Sequence, residues 1–413
     1  MDARYLDLDI SLERQLALHD IRLADLEAIR LLLRGGSIVD WYRLNFKTVE
    51  EVHAFLRVNR YEPDDPQDEA RLRGLVRSAA SYLERNFGYS FPPELVEPAR
   101  IEDPFLLPGS GDPYEKLACM MLKVLHILNH IDSMELRYQL PVSDQELFAM
   151  VEQEVTRWVG DLQAAHLGIH DYKASRKTRD SLVTKLLSKR RTLAAQVYDK
   201  LRFRVVTERR ADLLPVLRHM TQHLVPFNYV VPEESRNDIL NFREMLEGSP
   251  RLRGKIAQLQ FDLRLEEQVR PVSEDGGGLQ NPSTATDYRV INFVVDFPLR
   301  IDGLLSRIGE GVPLDLGRIV YLQVEFQLFD QDTWERNEAS EANHDAYKKR
   351  QRRLVLQRLV RGMPLFLRDE EGEQRPGVDP LALRMQQLAQ AIAMSAGDQD
   401  DDGHGPGGPG ERT

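Results

Sequence analysis

Cysteine is almost absent: Cys119 is the single one in 413 residues. No intrachain disulfide framework can form, and the simplest compartment is a reducing cytoplasm. No apolar run approaches the roughly 18 residues that a membrane span needs, and no charged-then-apolar leader opens the chain, so the expectation is a cytoplasmic protein without membrane contact. There is no phosphate-cradling Gly-rich strand-to-helix loop and no Gly-x-Ser-x-Gly elbow. His-Asp pairs at His19-Asp20, His170-Asp171 and His344-Asp345 lack companion histidines at ligand spacing, which speaks against a His-Asp metal phosphohydrolase.

Positive charge is in short supply overall, 55 Lys and Arg against 66 Asp and Glu. A net charge of −11 argues against a protein that coats duplex DNA. The basic residues that exist are concentrated. Between residues 170 and 210 thirteen Lys and Arg meet four Asp and Glu, and between 347 and 363 seven meet none. Such local concentration suits a compact polyanion such as the phosphates of a nucleotide, although solvated helix faces give the same pattern.

At roughly 150 residues per domain the length suggests about two or three domains. The pattern is α+β: a helical N-terminal domain of unknown role over 1–160, then a mixed β-sheet domain with flanking helices over 161–365, then a C-terminal helix and a disordered acidic Gly/Pro tail over 366–413. Helices are expected at 114–136, 144–162, 174–195, 211–224 and 334–361, strands at 201–207, 290–297 and 318–329. A Pro-rich linker is expected at 92–113, and an insertion at about 235–287, which by its length would border a pocket.

Alternation within the strands separates an apolar face from a polar one. Val320, Leu322, Val324, Phe326 and Leu328 oppose Tyr321, Gln323, Glu325 and Gln327; Ile291, Phe293, Val295 and Phe297 oppose Tyr288, Asn292 and Asp296. A glutamate in mid-strand between two glutamines is disfavoured by β propensity and suits a binding surface. Lys177, Ser181 and Lys185 recur at i, i+4, i+8 and would form a phosphate-binding ridge on one helix. Asp199 stands beside the arginines of the 201–207 strand, where it would either neutralise them or hold Mg2+. His344, Tyr347 and Lys348 share a helix face.

In chain order, Lys177-x3-Ser181-x3-Lys185, Asp199-x4-Arg204, Tyr288-x2-Ile291, Val324-Glu325-Phe326-Gln327 and His344-x2-Tyr347-Lys348 resemble the synthetase domain of the RelA/SpoT family of guanosine tetra- and pentaphosphate synthetases. The resemblance covers about residues 165–355. It implies a nucleotidyltransferase-like mixed sheet with Mg2+ as cofactor, held by Asp199 and Glu325 as the catalytic pair. Lys177, Ser181, Lys185, Arg204, Gln327, His344, Tyr347 and Lys348 would contact the nucleotides and Tyr288 would stack the acceptor guanine. The implied partners are ATP as donor and a guanine nucleotide or an RNA 3′ end as acceptor, with a homo-oligomer left open. Two departures stand out. Leu328-Phe329-Asp330 follows the Glu-x-Gln strand in place of Ile-Arg-Thr, and Thr286-Asp287 precedes Tyr288 in place of Asn-Gly. They motivate an alternative, a catalytically silent nucleotide- or RNA-binding relative.

Overall fold

The computed structural model describes residues 23–34, 46–188, 200–232, 234–241, 288–308 and 314–339, with short pieces at 348, 351, 355–356, 359, 366–368 and 374–376. These fall into two compact units, one within Met1–Thr178 and Ala195–Asn343, the other within Arg179–Ala194 and His344–Thr413. Within the first unit lie helices α1 (Leu23–Arg34), α2 (Val49–Val58), α3 (Pro66–Phe87), α4 (Pro93–Val96), α5 (Asp103–Leu106), α6 (Glu115–Gln139) and α7 (Asp144–Ala164). Their starts follow from short polar side chains. Thr48, Asp65 and Ser143 each accept a hydrogen bond from a backbone N–H of the first turn, and Pro66 takes the position where a missing N–H costs nothing.

Five strands form one sheet in the order β1-β2-β5-β4-β3: β1 (Ile169–Arg176), β2 (Leu201–Thr207), β3 (Arg236–Asn237), β4 (Ile291–Arg300) and β5 (Ile319–Asp330). The central β2–β5 pair is parallel and the others antiparallel, which makes the sheet mixed. Helix α8 (Arg179–Ser188) belongs to the second unit, as does an antiparallel hairpin of β6 (Phe366–Arg368) and β7 (Gln374–Pro376). α9 (Leu213–His223), α10 (Asp302–Ile308) and α11 (Gln331–Ala339) return to the first. No helix among the described residues is long and apolar enough to cross a membrane.

The apolar face of the sheet is covered by α1, α7 and α9. Phe203, Phe326 and Phe293 stack across three strands at centroid distances of 5.5 and 5.7 Å, beneath Leu26, Ile29, Val155, Trp158, Val216 and Met220. All three rings are buried, and each is worth roughly 1.5–3 kcal/mol of transfer free energy.

A second core joins α2 to α6, and it extends onto the opposite face of the sheet by taking in Phe227, Tyr229, Ile319 and Tyr321. One buried asparagine stands at the middle of this contact. Asn129 of α6 accepts from the Tyr61 hydroxyl (2.7 Å) and donates to the hydroxyls of Tyr229 (3.0 Å) and Tyr321 (2.9 Å). Around it His130 reaches Asp296 of β4 at 3.1 Å, and the Arg137 guanidinium donates to the Tyr321 carbonyl. At the end of β4, Arg300 pairs with Asp65, Asp68 and Asp302, tying the start of α3 to the sheet. Arg71 of α3 lies 3.3 Å from where a Cβ on Gly317 would stand, so the turn into β5, with φ of +98°, suits glycine on two counts.

The expected strands at 201–207, 290–297 and 318–329 are present, as are the helices at 114–136, 144–162 and 211–224. The stretch from 169 to 176 differs: Ala174 and its neighbours form the edge strand β1, and the helix begins only at Arg179. Pairing with β2, unbroken from Asp171 opposite Val206 to Arg176 opposite Leu201, overrides the helical propensity of the segment. The linker read at 92–113 contains the one-turn helices α4 and α5. Most of the insertion at 235–287 and the tail at 397–413 lie outside the described residues.

Asn129→Leu keeps the branched shape in a larger side chain but leaves Tyr61, Tyr229 and Tyr321 with hydroxyls that lose a buried partner. A cost of about 3 kcal/mol is expected, since each unsatisfied buried group costs roughly 1–3 kcal/mol. Urea unfolding should show it as a lower midpoint at unchanged slope.

Candidate active site

Cross-strand neighbours share a face, so the registers place the polar residues. Arg202 lies opposite Glu325 and Arg204 opposite Gln327 across the parallel pair; Asn292 lies opposite Gln327, Lys173 opposite Arg204, Ser175 opposite Arg202 and Arg236 opposite Asn292. One polar face thus runs from β1 to β3. Its end nearest Tyr321 is covered by α6, and Tyr321 is buried there. Tyr321 therefore belongs to the α6 contact, while the rest of the face carries the candidate site.

At the centre Glu325, with only 7% of its surface exposed, accepts the Arg202 Nε–H through Oε2 at 2.6 Å and the Gln327 amide through Oε1 at 3.2 Å. The Gln327 amide also reaches Asn292 Oδ1 at 3.3 Å. Beside it the Arg204 guanidinium donates to Asp171 at 2.8 Å and lies 3.9 Å over the Trp334 ring, a cation–π contact worth roughly 0.5–1 kcal/mol or more. Arg204 Nε is buried and has no hydrogen-bond partner. Trp334 comes from α11, whose start is fixed by Asp330 accepting from Thr333.

Tyr288 precedes β4 and packs edge-on against Phe329, which packs edge-on against Trp334. Burial pushes its phenol up to about 12; Arg202 pulls it down, Glu325 raises it, and Arg236 and Arg204 lower it. The hydroxyl therefore stands in the field of three arginines. The Tyr288 carbonyl accepts from Arg236, whose Nε pairs with Asp238 at 2.6 Å.

Of the residues expected from the sequence, Glu325, Gln327, Arg204 and Tyr288 gather on this face. Lys177 lies in the connection after β1, its N–H donating to the Lys200 carbonyl, so it is not on one helical stripe with Ser181 and Lys185. Ser181 and Lys185 are on α8 in the second unit, and Lys348 is an exposed helical residue of that unit. Asp199, His344 and Tyr347 lie outside the described residues. The sequence reading missed Arg202, Lys173, Asp171, Arg236 and Trp334. Alternation of Leu201, Phe203 and Val205 with Arg202 and Arg204 was a usable signal for Arg202; reading 174–195 as helix hid Asp171, Lys173 and Ser175.

Four cations, Lys173, Arg202, Arg204 and Arg236, share this face with three neutral hydrogen-bonding side chains (Ser175, Gln327 and Asn292) and with the carboxylates of the buried Glu325 and the more exposed Asp171 and Asp238, and such guanidinium groups suit a polyanion. Among the described residues no group of three His, Cys, Asp or Glu could hold a metal ion, and both Glu325 oxygens are engaged.

No family model matches the chain, and no curated protein does. Solved structures to which it is similar include the small alarmone synthetase 1 of Bacillus subtilis, at 13% identity over 60% of this chain and 97% of that one, TM-score 0.28. The same synthetase bound to its product pppGpp is matched at 13% identity over 65% and 96%, TM-score 0.26. A GTP pyrophosphokinase family protein of Streptococcus pneumoniae is matched at 12% over 61% and 93%, TM-score 0.25.

The buried phenol gives a pH signature. The unfolded tyrosine ionises near 10 and Tyr288 in the fold near 12, so its share of stability is complete below about pH 10 and is lost as pH rises toward 12. Chemical denaturation of Tyr288→Phe should show a shallower decline across that window than the parent protein; equal slopes would count against burial of the hydroxyl.

Proposed function

We propose that the polar sheet face holds nucleotide polyphosphate and that the protein is a Mg2+-dependent pyrophosphotransferase, moving pyrophosphate from ATP to a 3′-hydroxyl of a guanine nucleotide or an RNA end. The observation that supports this best is the gathering of Lys173, Arg202, Arg204 and Arg236 around Glu325 and Gln327, on a chain whose net charge is −11. Phosphoryl chemistry asks little covalent help of a protein and depends on positioning and charge neutralisation. The ordered motifs that carry the RelA/SpoT resemblance fall in part on this face, and they supply the choice of donor and acceptor.

In this reading the 3′-oxygen bonds to the β-phosphorus of ATP, the α–β bridging bond breaks, AMP leaves, and the hydroxyl proton passes to a general base. Arg202 and Arg204 bind and neutralise the phosphates, Tyr288 lines the acceptor side, and Gln327 orients Glu325. Mg2+ would supply further charge neutralisation through Asp199 and Glu325. Lys177, Ser181, Lys185, His344, Tyr347 and Lys348 remain proposed nucleotide contacts.

A second reading, nucleotide or RNA binding without turnover, is favoured by one observation. Both Glu325 oxygens are held by Arg202 and Gln327, which leaves the carboxylate committed within the fold.

Incubation with ATP, Mg2+ and a panel of GDP, GTP, other nucleotides and RNA, with products identified by mass, should yield AMP and one pyrophosphorylated acceptor. Arg204→Ala should raise KM for ATP about tenfold with a smaller effect on kcat, since a phosphate contact made in ground and transition states alike acts on binding. Asp199→Asn should abolish turnover in a folded protein. No AMP with any acceptor would overturn the pyrophosphotransferase reading and shift the preference to the second.

A further inference from the structure

The three arginines of the site face each carry a carboxylate of their own. Arg202 is held by Glu325 at 2.6 Å, Arg204 by Asp171 at 2.8 Å and Arg236 by Asp238 at 2.6 Å. The carboxylates come from three different segments, the central strand β5, the edge strand β1 and the turn after β3.

We infer that Asp171 and Glu325 are built-in counter-ions, which occupy Arg204 and Arg202 in the ligand-free protein and are displaced by an incoming polyphosphate. This rests on reading the face as a polyphosphate site. Two features of Arg204 support an exchange. Asp171 engages it through a single terminal nitrogen, and the Nε beside it is buried without an acceptor. An anion with two oxygens on one phosphorus satisfies Nε and the terminal nitrogen together, which one-point pairing with Asp171 does not. The Trp334 ring fixes the guanidinium plane at 3.9 Å and does not compete for its hydrogen-bonding edge, so the cation stays in place while its anion changes.

Glu325 stands in the same relation to Arg202, with a deeper commitment. It is almost fully buried, and Gln327 holds its second oxygen. Withdrawal of Arg202 toward a phosphate leaves that carboxylate without its cation. The exchange is therefore easier at Asp171, whose side chain is 43% exposed and can turn to water, than at Glu325. The counter-ions thus set an order: Arg204 is taken first and Arg202 second.

The test is calorimetric titration of the 413-residue chain with inorganic tripolyphosphate in the absence of divalent cations. Asp171→Asn can still accept a hydrogen bond from Arg204 but no longer neutralises it, and Glu325→Gln does the same for Arg202. Asp171→Asn should bind tripolyphosphate about fivefold more tightly than the parent, the scale expected when one partly exposed ion pair no longer competes, and Glu325→Gln should also bind it more tightly. Glu84→Gln, which removes the same charge from an exposed position on α3, should leave the affinity unchanged. A gain in affinity is opposite in sign to what damage to the fold produces. Equal or weaker binding by both site variants, an equal gain in Glu84→Gln, or no binding by any of the four proteins would overturn the inference. Failure of the pyrophosphotransferase reading shows differently: no AMP from ATP in the parent, with the gain in tripolyphosphate affinity intact.

Discussion

The parallel register of β2 against β5 is the constraint on which the site depends. Once Leu201 lies opposite Val324, parity sends Phe203 and Phe326 to the core and brings Arg202 and Arg204 against Glu325 and Gln327. A slip by one residue would exchange the two sets and bury the arginines under α7 and α9. Parallel strands cannot be joined by a tight turn. The chain between them supplies α9, β3 and β4, and β4 then adds Asn292 to the same polar row.

Helices and sheet form one folding problem in the first unit. α1, α7 and α9 cover the apolar face, and α6 covers one end of the other, where Asn129 gathers three tyrosine hydroxyls from α2's following turn, the segment after α9 and β5. The N-terminal helices thereby determine how much of the polar face is left for the site. Without α6, Tyr321 would stand on that face as an exposed ring; with it, the row of polar groups is closed at one end.

Much of this was legible in the sequence because β4 and β5 alternate cleanly. Their periodicity gave the strands, the two faces and the place of Glu325 and Gln327 on the polar one. β1 was not legible for a physical reason: an edge strand pairs on one side only and buries little, so Ile169 to Arg176 lacks the apolar alternation that marks a strand. Its residues Asp171, Lys173 and Ser175 went unread with it. Trp334 was unread for another reason, since its role arises from packing on Arg204, a residue 130 positions away in the chain. The ridge of Lys177, Ser181 and Lys185 shows the opposite error, where helical spacing in the sequence spans a strand-to-helix connection in the fold.

The two counter-ions stand on strands of different rank. Glu325 lies on β5, paired on both sides, whereas Asp171 lies on β1 at the end of the strand order, next to a register irregularity between Ile169 and Asp171. Edge strands open locally ahead of the whole molecule, and central strands open with it. The polar face is therefore mechanically uneven: a stationary wall at β5 and β2 faces a margin at β1 that can loosen by a few hydrogen bonds while the core stays shut.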